Sequence, residues 1–381
     1  MINQTDQMMY RLNNLDTLQQ KLNYQYAGKK LEYGSDDSVL YSRIISVDDK
    51  VRVYEGIKTQ VERTTVQNKT SDSSMAAIKK ILESINAELI KANTDTTSED
   101  GLKAIATNLS GMKENLLDLA NTQVEGEYVF AGSDSSIKPF ELNVDGSISY
   151  NGDNKLRRVT VEEGSYRERG INGFDVMMYS SATAYKNESL TFSEGDRVLD
   201  QDGNEWVLDN TTDPANPILV KYDVDGNLTT DTMPVTFDAT TNTYETPILT
   251  ANGTKFEAKT SIFTLIDNVV NSLNKVDSSG NPISISEAKD LISKGAEEIM
   301  KAYDGVNIAH ADLGSKNKIF EVSLENLTSK ITQYNVLSQE LSASDYTEIA
   351  LKAKALELTY TALYSTINKT NQLSLVNFLN N

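Results

Sequence analysis

From Ile349 to Leu379 the chain places apolar residues at Ile349, Ala353, Leu356, Tyr360, Leu363 and Ile367. Steps of four and three put all of them on one narrow stripe of an α-helix, the spacing of a coiled-coil seam. Lys352, Lys354, Glu357 and several threonines surround the stripe. Such a helix does not cover its own seam and needs a partner. The opening residues offer one, since Met8, Leu12, Leu15, Leu22 and Tyr26 keep the same rhythm, with polar Gln19 at the missing position. The two ends of the chain are therefore expected to be halves of one element.

Helical spacing fills most of the remainder. The first helix is expected from about Thr5 to Ala27, closed by Gly28, which suits the left-handed backbone of a helix end. Ser35, Asp36 and Asp37 then offer caps and favourable charge to the next helix. Apolar residues recur at helical intervals from Ile44 through Val61. The heptad rhythm then runs through Met75, Ile78, Leu82, Ile85, Leu89 and Ala92, and again through Leu102, Ile105, Leu109, Met112, Leu116 and Leu119, with Thr97 or Ser98 as the cap between. Ser261 is a plausible cap for Ile262, Leu265, Ile266, Val269, Val270 and Leu273. A further helix is expected from near Ser286 and ends in the heptads Phe320, Leu324, Leu327, Ile331, Tyr334 and Leu341, with breaks at Gly305 and Gly314.

Between Gly126 and about Lys259 the helical period disappears. Glu127-Tyr128-Val129-Phe130-Ala131-Gly132 reads as a strand and turn, and Asp145-Gly146, Asn151-Gly152, Asp202-Gly203 and Asp225-Gly226 read as hairpin turns. Pro139, Pro214, Pro217, Pro234 and Pro247 lie here as well, and Trp206 is expected to anchor a core. The fold expected is mainly α with a β-rich insertion. It is an elongated helical bundle with the termini paired as a coiled coil at one end and the β domain at the other. The domains expected are 1–44 with 342–381, 45–139 with 260–341, and 140–259.

Composition removes several functions. The net charge is −19 and the isoelectric point about 4.6, which disfavours nucleic acid or an anionic membrane as partner. There are no cysteines, so zinc-thiolate sites and cysteine nucleophiles are excluded. No apolar run approaches the roughly 20 residues of a membrane span. Met1 to Tyr10 has no signal-peptide pattern, so the protein is expected to stay inside the cell or to leave by a route that needs none.

Catalytic chemistry has little to stand on. His310 is the single histidine, and in its Ala309-His310-Ala311 setting it reads as a helix-surface or interface residue instead of a base. No phosphate loop, nucleophile elbow or dinucleotide fingerprint occurs. Asp200-x-Asp202-Gly203-Asn204 and Asp223-x-Asp225-Gly226-Asn227 resemble fragments of calcium loops, but the glycine comes too early for an EF-hand, and hairpin turns explain them better. No enzyme activity, cofactor or metal is expected.

The terminal stripes are the candidate site. Burying a Leu or Ile contributes about 1.5–3 kcal/mol, while ordering each residue costs about 1–2 kcal/mol, so one thin two-helix seam leaves little surplus. The ends are expected to be poorly ordered in the free chain and to become ordered when copies pack. The assembly residues expected are Met8, Leu12, Leu15, Leu22, Ile349, Leu356, Tyr360, Leu363 and Ile367.

Two segments carry a family resemblance. Gly28-Lys29-Lys30-Leu31-Glu32-Tyr33-Gly34-Ser35-Asp36-Asp37 resembles the Ser-Gly-Lys-Arg-Ile-x-x-Pro-Ser-Asp-Asp segment of flagellin-like proteins. Ala120-Asn121-Thr122 through Gly126-Glu127-Tyr128-Val129-Phe130-Ala131-Gly132-Ser133 to Pro139-Phe140 is similar to the hook-filament junction family, as is the ending Leu373-Ser374-Leu375-Val376-Asn377-Phe378-Leu379. Glu32-Tyr33-Gly34 replaces the usual Asn-Arg-Pro type of turn, and Phe378 replaces Tyr. The resemblance implies export through the flagellar type III apparatus and an extracellular place in the bacterial flagellum. It further implies assembly as a ring between the preceding hook-associated protein, FlgK, and flagellin, with an export chaperone of the FlgN type shielding the carboxyl-terminal stripe. A flagellin filament subunit is the near alternative. A surface-displayed carbohydrate-binding or carbohydrate-active protein, with Tyr150, Tyr166, Phe174, Tyr179, Trp206 and Tyr222 stacking on sugars, is the alternative of another class, although the same aromatics would equally serve as core.

Overall fold

The computed structural model describes residues 2–379 except 95, 96, 145, 225, 252, 278 and 279. Three helices open it: α1 (Ile2–Tyr26), α2 (Ser38–Ala92) and α3 (Glu99–Ala120). Three hairpins follow, β1 (Gln123–Val124) with β2 (Glu127–Tyr128), β3 (Phe140–Leu142) with β4 (Ile148–Tyr150), and β5 (Arg158–Glu162) with β6 (Ser165–Glu168). After α4 (Gly173–Met177) come β7 (Met178–Tyr185), β8 (Thr191–Phe192), β9 (Arg197–Asp200), β10 (Glu205–Asp209), β11 (Ile218–Tyr222), β12 (Leu228–Pro234), β13 (Thr236–Asp238), β14 (Thr243–Glu245) and β15 (Lys255–Ser261). The chain closes with α5 (Ile262–Leu273), α6 (Ile285–Ser342) and α7 (Tyr346–Leu379). This is the expected mainly helical fold with a β-rich insertion.

Two compact units are distinct, one formed by Met1–Thr59 with Glu325–Asn381 and the other by Gln60–Leu324. In the second unit Met75, Ile78, Leu82, Ile85, Leu89 and Ala92 of α2 are all fully enclosed. They share one core with Leu102, Leu109 and Leu116 of α3, Phe263 and Ile266 of α5, and Ile292, Ile299 and Val306 of α6. Each such side chain contributes about 1.5–3 kcal/mol relative to exposure. The caps are where the sequence places them: Ser98 accepts from the Gly101 amide at 3.2 Å, and Ser261 accepts from Phe263 at 3.3 Å. Lys113–Asp267 and Lys275–Glu99, both 2.6 Å, tie α3 to the α5 segment.

A separate β core holds Phe192, Val198, Trp206, Leu219 and Phe256. Its six-stranded antiparallel sheet has the order β12-β11-β10-β9-β15-β7, with β13-β14-β8 forming a second sheet. Trp206 is the anchor expected: its ring lies 5.5 Å from Phe256, and its indole N–H donates to Asp200 at 3.2 Å.

Three local expectations are corrected. α6 runs unbroken through Gly305 and Gly314, because packing of a helix outweighs the penalty of about 1 kcal/mol per glycine. At Gly305 an added Cβ would make only an ordinary contact with Tyr179 at 3.6 Å. Asn151-Gly152 joins no hairpin, since β4 pairs with β3 and β5 with β6. Gly152 is instead wedged where a Cβ would meet the Ala131 carbonyl at 2.5 Å and the Tyr150 ring at 2.6 Å. The Gly203 turn does close the β9–β10 hairpin, whereas Asp145 and Asp225 lie outside the described residues.

Candidate assembly interface

The unit containing both chain ends is built on α1 and α7. Gly28, at φ +95°, ends α1 in the left-handed region that glycine favours. The following backbone then pairs with the α6–α7 link: the Lys30 amide donates to Ser342 O at 2.8 Å, and Lys29 bridges Ala343. Farther along the two helices, the Tyr360 hydroxyl donates to Asp16 Oδ1 at 2.6 Å. Going back along α1 thus corresponds to going forward along α7, so the pair is antiparallel.

All nine of the expected assembly residues turn inward. Leu22 and Ile349 are buried, and Met8, Leu12, Leu15, Leu356, Tyr360, Leu363 and Ile367 are half-buried, as is Ala353. Tyr26 departs from the pattern and stays half exposed, because α1 ends there. A cleft of about 570 Å³ opens between the helices, lined by Leu15, Leu18, Leu22 and Leu356 with Lys21, Gln25, Lys352, Ala355 and Thr359. Tyr360 also lies beside Tyr364, ring centroids 6.3 Å apart. Its hydroxyl pKa is pushed up to about 12, first by the hydrogen bond to Asp16 and then by desolvation.

The Gly28–Asp37 segment is a defined turn. Asp36 accepts from the Glu32 and Tyr33 amides at 3.1 and 3.0 Å and pairs with Lys21 at 2.8 Å. The Lys21 hydrogen bond, followed by those amides, holds the Asp36 carboxyl below its ordinary range. Asp37 caps α2 by accepting from Leu40 at 2.9 Å. In the same unit Ser338 donates to Asp48 at 2.7 Å, and Tyr54 stacks on Tyr334 at 5.6 Å.

α7 carries a second apolar stripe besides the one that meets α1. Leu351, Ala355, Leu358 and Ala362 repeat the four-and-three rhythm on another face of α7, and all are exposed, Leu351 by 69% and Leu358 by 62%. On α1, Met9, Tyr10 and Leu18 are exposed as well. The signal was available in the sequence, but a search that stops at the first complete heptad stripe passes over it.

Elsewhere the sequence candidates settle as structure. His310 is half-buried on α6, its Nε2 2.8 Å from Asp72. Asp200 accepts from the Asp202 and Asn204 amides, both at 3.0 Å, and Asp223 accepts from Asn227 at 2.8 Å, so their carboxylates close turns. Asp277 and Asn281 repeat this arrangement at 2.8 Å. Of the aromatics, Tyr150, Phe174, Tyr179 and Trp206 are buried, Tyr222 is half-buried and Tyr166 is exposed. The Ala120–Phe140 segment is held by Asn121, which donates to Phe140 O and accepts from Phe140 N, both at 3.0 Å. Its β1–β2 turn places Glu125 and Gly126 at φ +53° and +82°, the pair of positive values that a two-residue hairpin turn requires. Glu127 beyond it accepts from Gln67 at 2.9 Å and pairs with Arg169 at 3.1 Å and Arg63 at 3.3 Å. No helix among the described residues is long and apolar enough to cross a membrane.

Residues 3–135 match the bacterial flagellin N-terminal helical region. Flagellar hook-associated protein 3 of Salmonella typhimurium is 27% identical over 187 residues, covering 47% of this chain and 57% of that protein. The chain spans about half the length of the curated relatives it matches. The crystal structure of FlgL from Xanthomonas campestris aligns at a TM-score of 0.50 and 18% identity, over 76% of this chain and 98% of that one. Hook-associated protein-3 of Legionella pneumophila aligns at 0.52 and 18% identity, over 78% and 98%. These structural likenesses show a shared fold. Over residues 3–135 the chain thus matches the bacterial flagellin N-terminal helical region, and it is similar in sequence to flagellar hook-associated protein 3 and in fold to FlgL.

Proposed function

We propose that this chain is a non-enzymatic structural adaptor that joins the flagellar hook, through the preceding hook-associated protein FlgK, to the flagellin filament. It assembles as a ring through its terminal helices, outside the cell, after export by the flagellar type III apparatus. A chaperone of the FlgN type covers the carboxyl-terminal helix beforehand, since an uncovered apolar face invites association.

One observation carries this reading: α7 has a closed apolar stripe toward α1 and an uncovered one at Leu351, Ala355, Leu358 and Ala362. A helix with two seams and one partner in its own chain is suited to further helices from its neighbours. The sequence likeness to hook-associated protein 3 supports the same reading.

The test replaces Leu351 and Leu358 together by Asp, leaving the α1-facing stripe intact. The variant is expected to remain folded, to fail to hold a filament, and to abolish swimming while flagellin monomers appear in the medium. Loss of a filament subunit would instead remove flagellin itself. Normal swimming in the variant would overturn the proposal.

A further inference from the structure

Asn-Gly occurs at Asn151-Gly152, Asn172-Gly173 and Asn252-Gly253, and Asn252 lies outside the described residues. In such a pair the glycine has no Cβ to shield its amide nitrogen, which makes the asparagine before it chemically labile. The nitrogen reaches the side-chain carbonyl carbon only where it is not already donating and the carboxamide is free to turn. The two described pairs, both in the Gln60–Leu324 unit, differ in these respects.

Asn172 is 1% exposed. Its Oδ1 accepts from the Asp175 amide at 2.7 Å as the cap of α4, and the Gly173 amide donates to Phe130 O at 2.7 Å. Gly173 is itself buried, with the Phe140 ring 2.7 Å from where a Cβ would lie. Both reacting groups are therefore held in hydrogen bonds inside the core. Asn151, between β4 and β5, is exposed. Its carboxamide meets Glu141 Oε2, to which Nδ2 donates at 3.0 Å, and the Ser149 hydroxyl, which donates to Oδ1 at 3.5 Å. Both bonds lie at the surface, where water replaces them at small cost. The Gly152 amide donates to no group among the described residues.

We propose that Asn151 is a site of spontaneous deamidation in the folded chain, and that the fold protects Asn172 from the same reaction. The Gly152 nitrogen attacks Asn151 Cγ. A bond forms between them, the Cγ–Nδ2 bond breaks, and ammonia leaves with the proton that the Gly152 nitrogen gives up. Water then opens the cyclic imide, its hydroxyl going to one carbonyl carbon and its proton to the nitrogen. Opening at Cγ leaves aspartate, and opening at the main-chain carbonyl leaves isoaspartate. Either product sets a carboxylate beside Glu141 where an amide had donated, and like charges across a hairpin repel. Isoaspartate also lengthens the main chain by one methylene next to Gly152, which sits where a Cβ would meet the Ala131 carbonyl at 2.5 Å. The modified chain is therefore less stable around β3 and β4.

The test holds the folded full-length protein at mildly alkaline pH, and a second sample in concentrated urea, and follows the peptides containing Asn151 and Asn172 by mass spectrometry after digestion. In the folded protein the Asn151 peptide is expected to convert steadily to the aspartate and isoaspartate forms, while the Asn172 peptide keeps its amide. In urea both should convert, because unfolding removes the bonds that shield Asn172. The urea midpoint of the folded sample should fall as Asn151 is lost, and that of Asn151→Gln, which keeps a carboxamide but disfavours the cyclic imide, should stay constant over the same time. An Asn151 peptide that remains intact in the folded protein, or one that converts no faster than the Asn172 peptide there, would overturn the proposal.

Discussion

Two side chains show how polar groups are used where helices and hairpins pack. Tyr360 brings a hydroxyl to the apolar seam and donates it to Asp16 at 2.6 Å. A polar pair in such a seam penalises shifted registers that would leave it unmatched. The folded-state phenol pKa, about 12, is above the ordinary 10.0. The contribution of Tyr360 is therefore fully present below pH 10.0 and is lost as pH rises through about 12. Tyr360→Phe should lower the thermal stability of the terminal helices at neutral pH and match the unsubstituted protein above pH 12, as read by far-ultraviolet circular dichroism. A gap that survives above that pH would contradict the pairing. Glu127 acts differently. Burial alone would raise its pKa, but hydrogen bonds from Arg169 and Gln67 and the charges of Arg169 and Arg63 outweigh burial and hold it below the ordinary 4.5. Its stabilisation is present above pH 4.5 and is lost as the solution is acidified below that value. Glu127→Ala removes the carboxylate that pairs with Arg169 and should cost about 1–3 kcal/mol in urea unfolding at neutral pH, with a smaller deficit in acid.

At the level of elements, glycines divide by what surrounds them. Gly314 lies inside α6 with nothing within 4 Å of the place an added methyl would take, whereas at Gly152 that methyl would meet backbone at 2.5 Å. Gly314→Ala should therefore stabilise the protein by up to about 1 kcal/mol through helix propensity. Gly152→Ala should destabilise it by about 1–3 kcal/mol through overpacking. Urea midpoints moving in the same direction would contradict this contrast. The same pair of residues marks what was legible in the sequence. Helices with strict heptads, such as Met75 to Ala92, could be read because one stripe meets one core. Gly314 looked like a break because local propensity counts against it, and Asn151-Gly152 looked like a turn because local chemistry favours one. Both were decided by tertiary packing, to which local signals are blind. The partnership of β15 with both β7 and β9 was equally hidden, since pairing strands so far apart in sequence leaves no periodic trace.

For the whole molecule, the candidate site was half legible. The inward stripes of α1 and α7 were recognised because they complement each other. The outward stripe through Leu351 and Leu358 is exposed on the described α7, so it stands out only once the first seam is seen to be closed. An element with an uncovered seam is marginal alone, because entropy falls on every ordered residue while only one face is buried. On the function proposed above, neighbours complete the terminal helices, whereas α2, α3, α5 and α6 share a buried core within the chain. Amide hydrogen exchange, followed by mass spectrometry on the full chain in dilute solution and again on assembled flagella, tests this most directly. The account predicts rapid exchange in α1 and α7 of the free chain, slow exchange from Met75 to Ala92 at the same time, and strong protection of both terminal helices after assembly. Terminal helices already protected in dilute solution to the level of that core would contradict it.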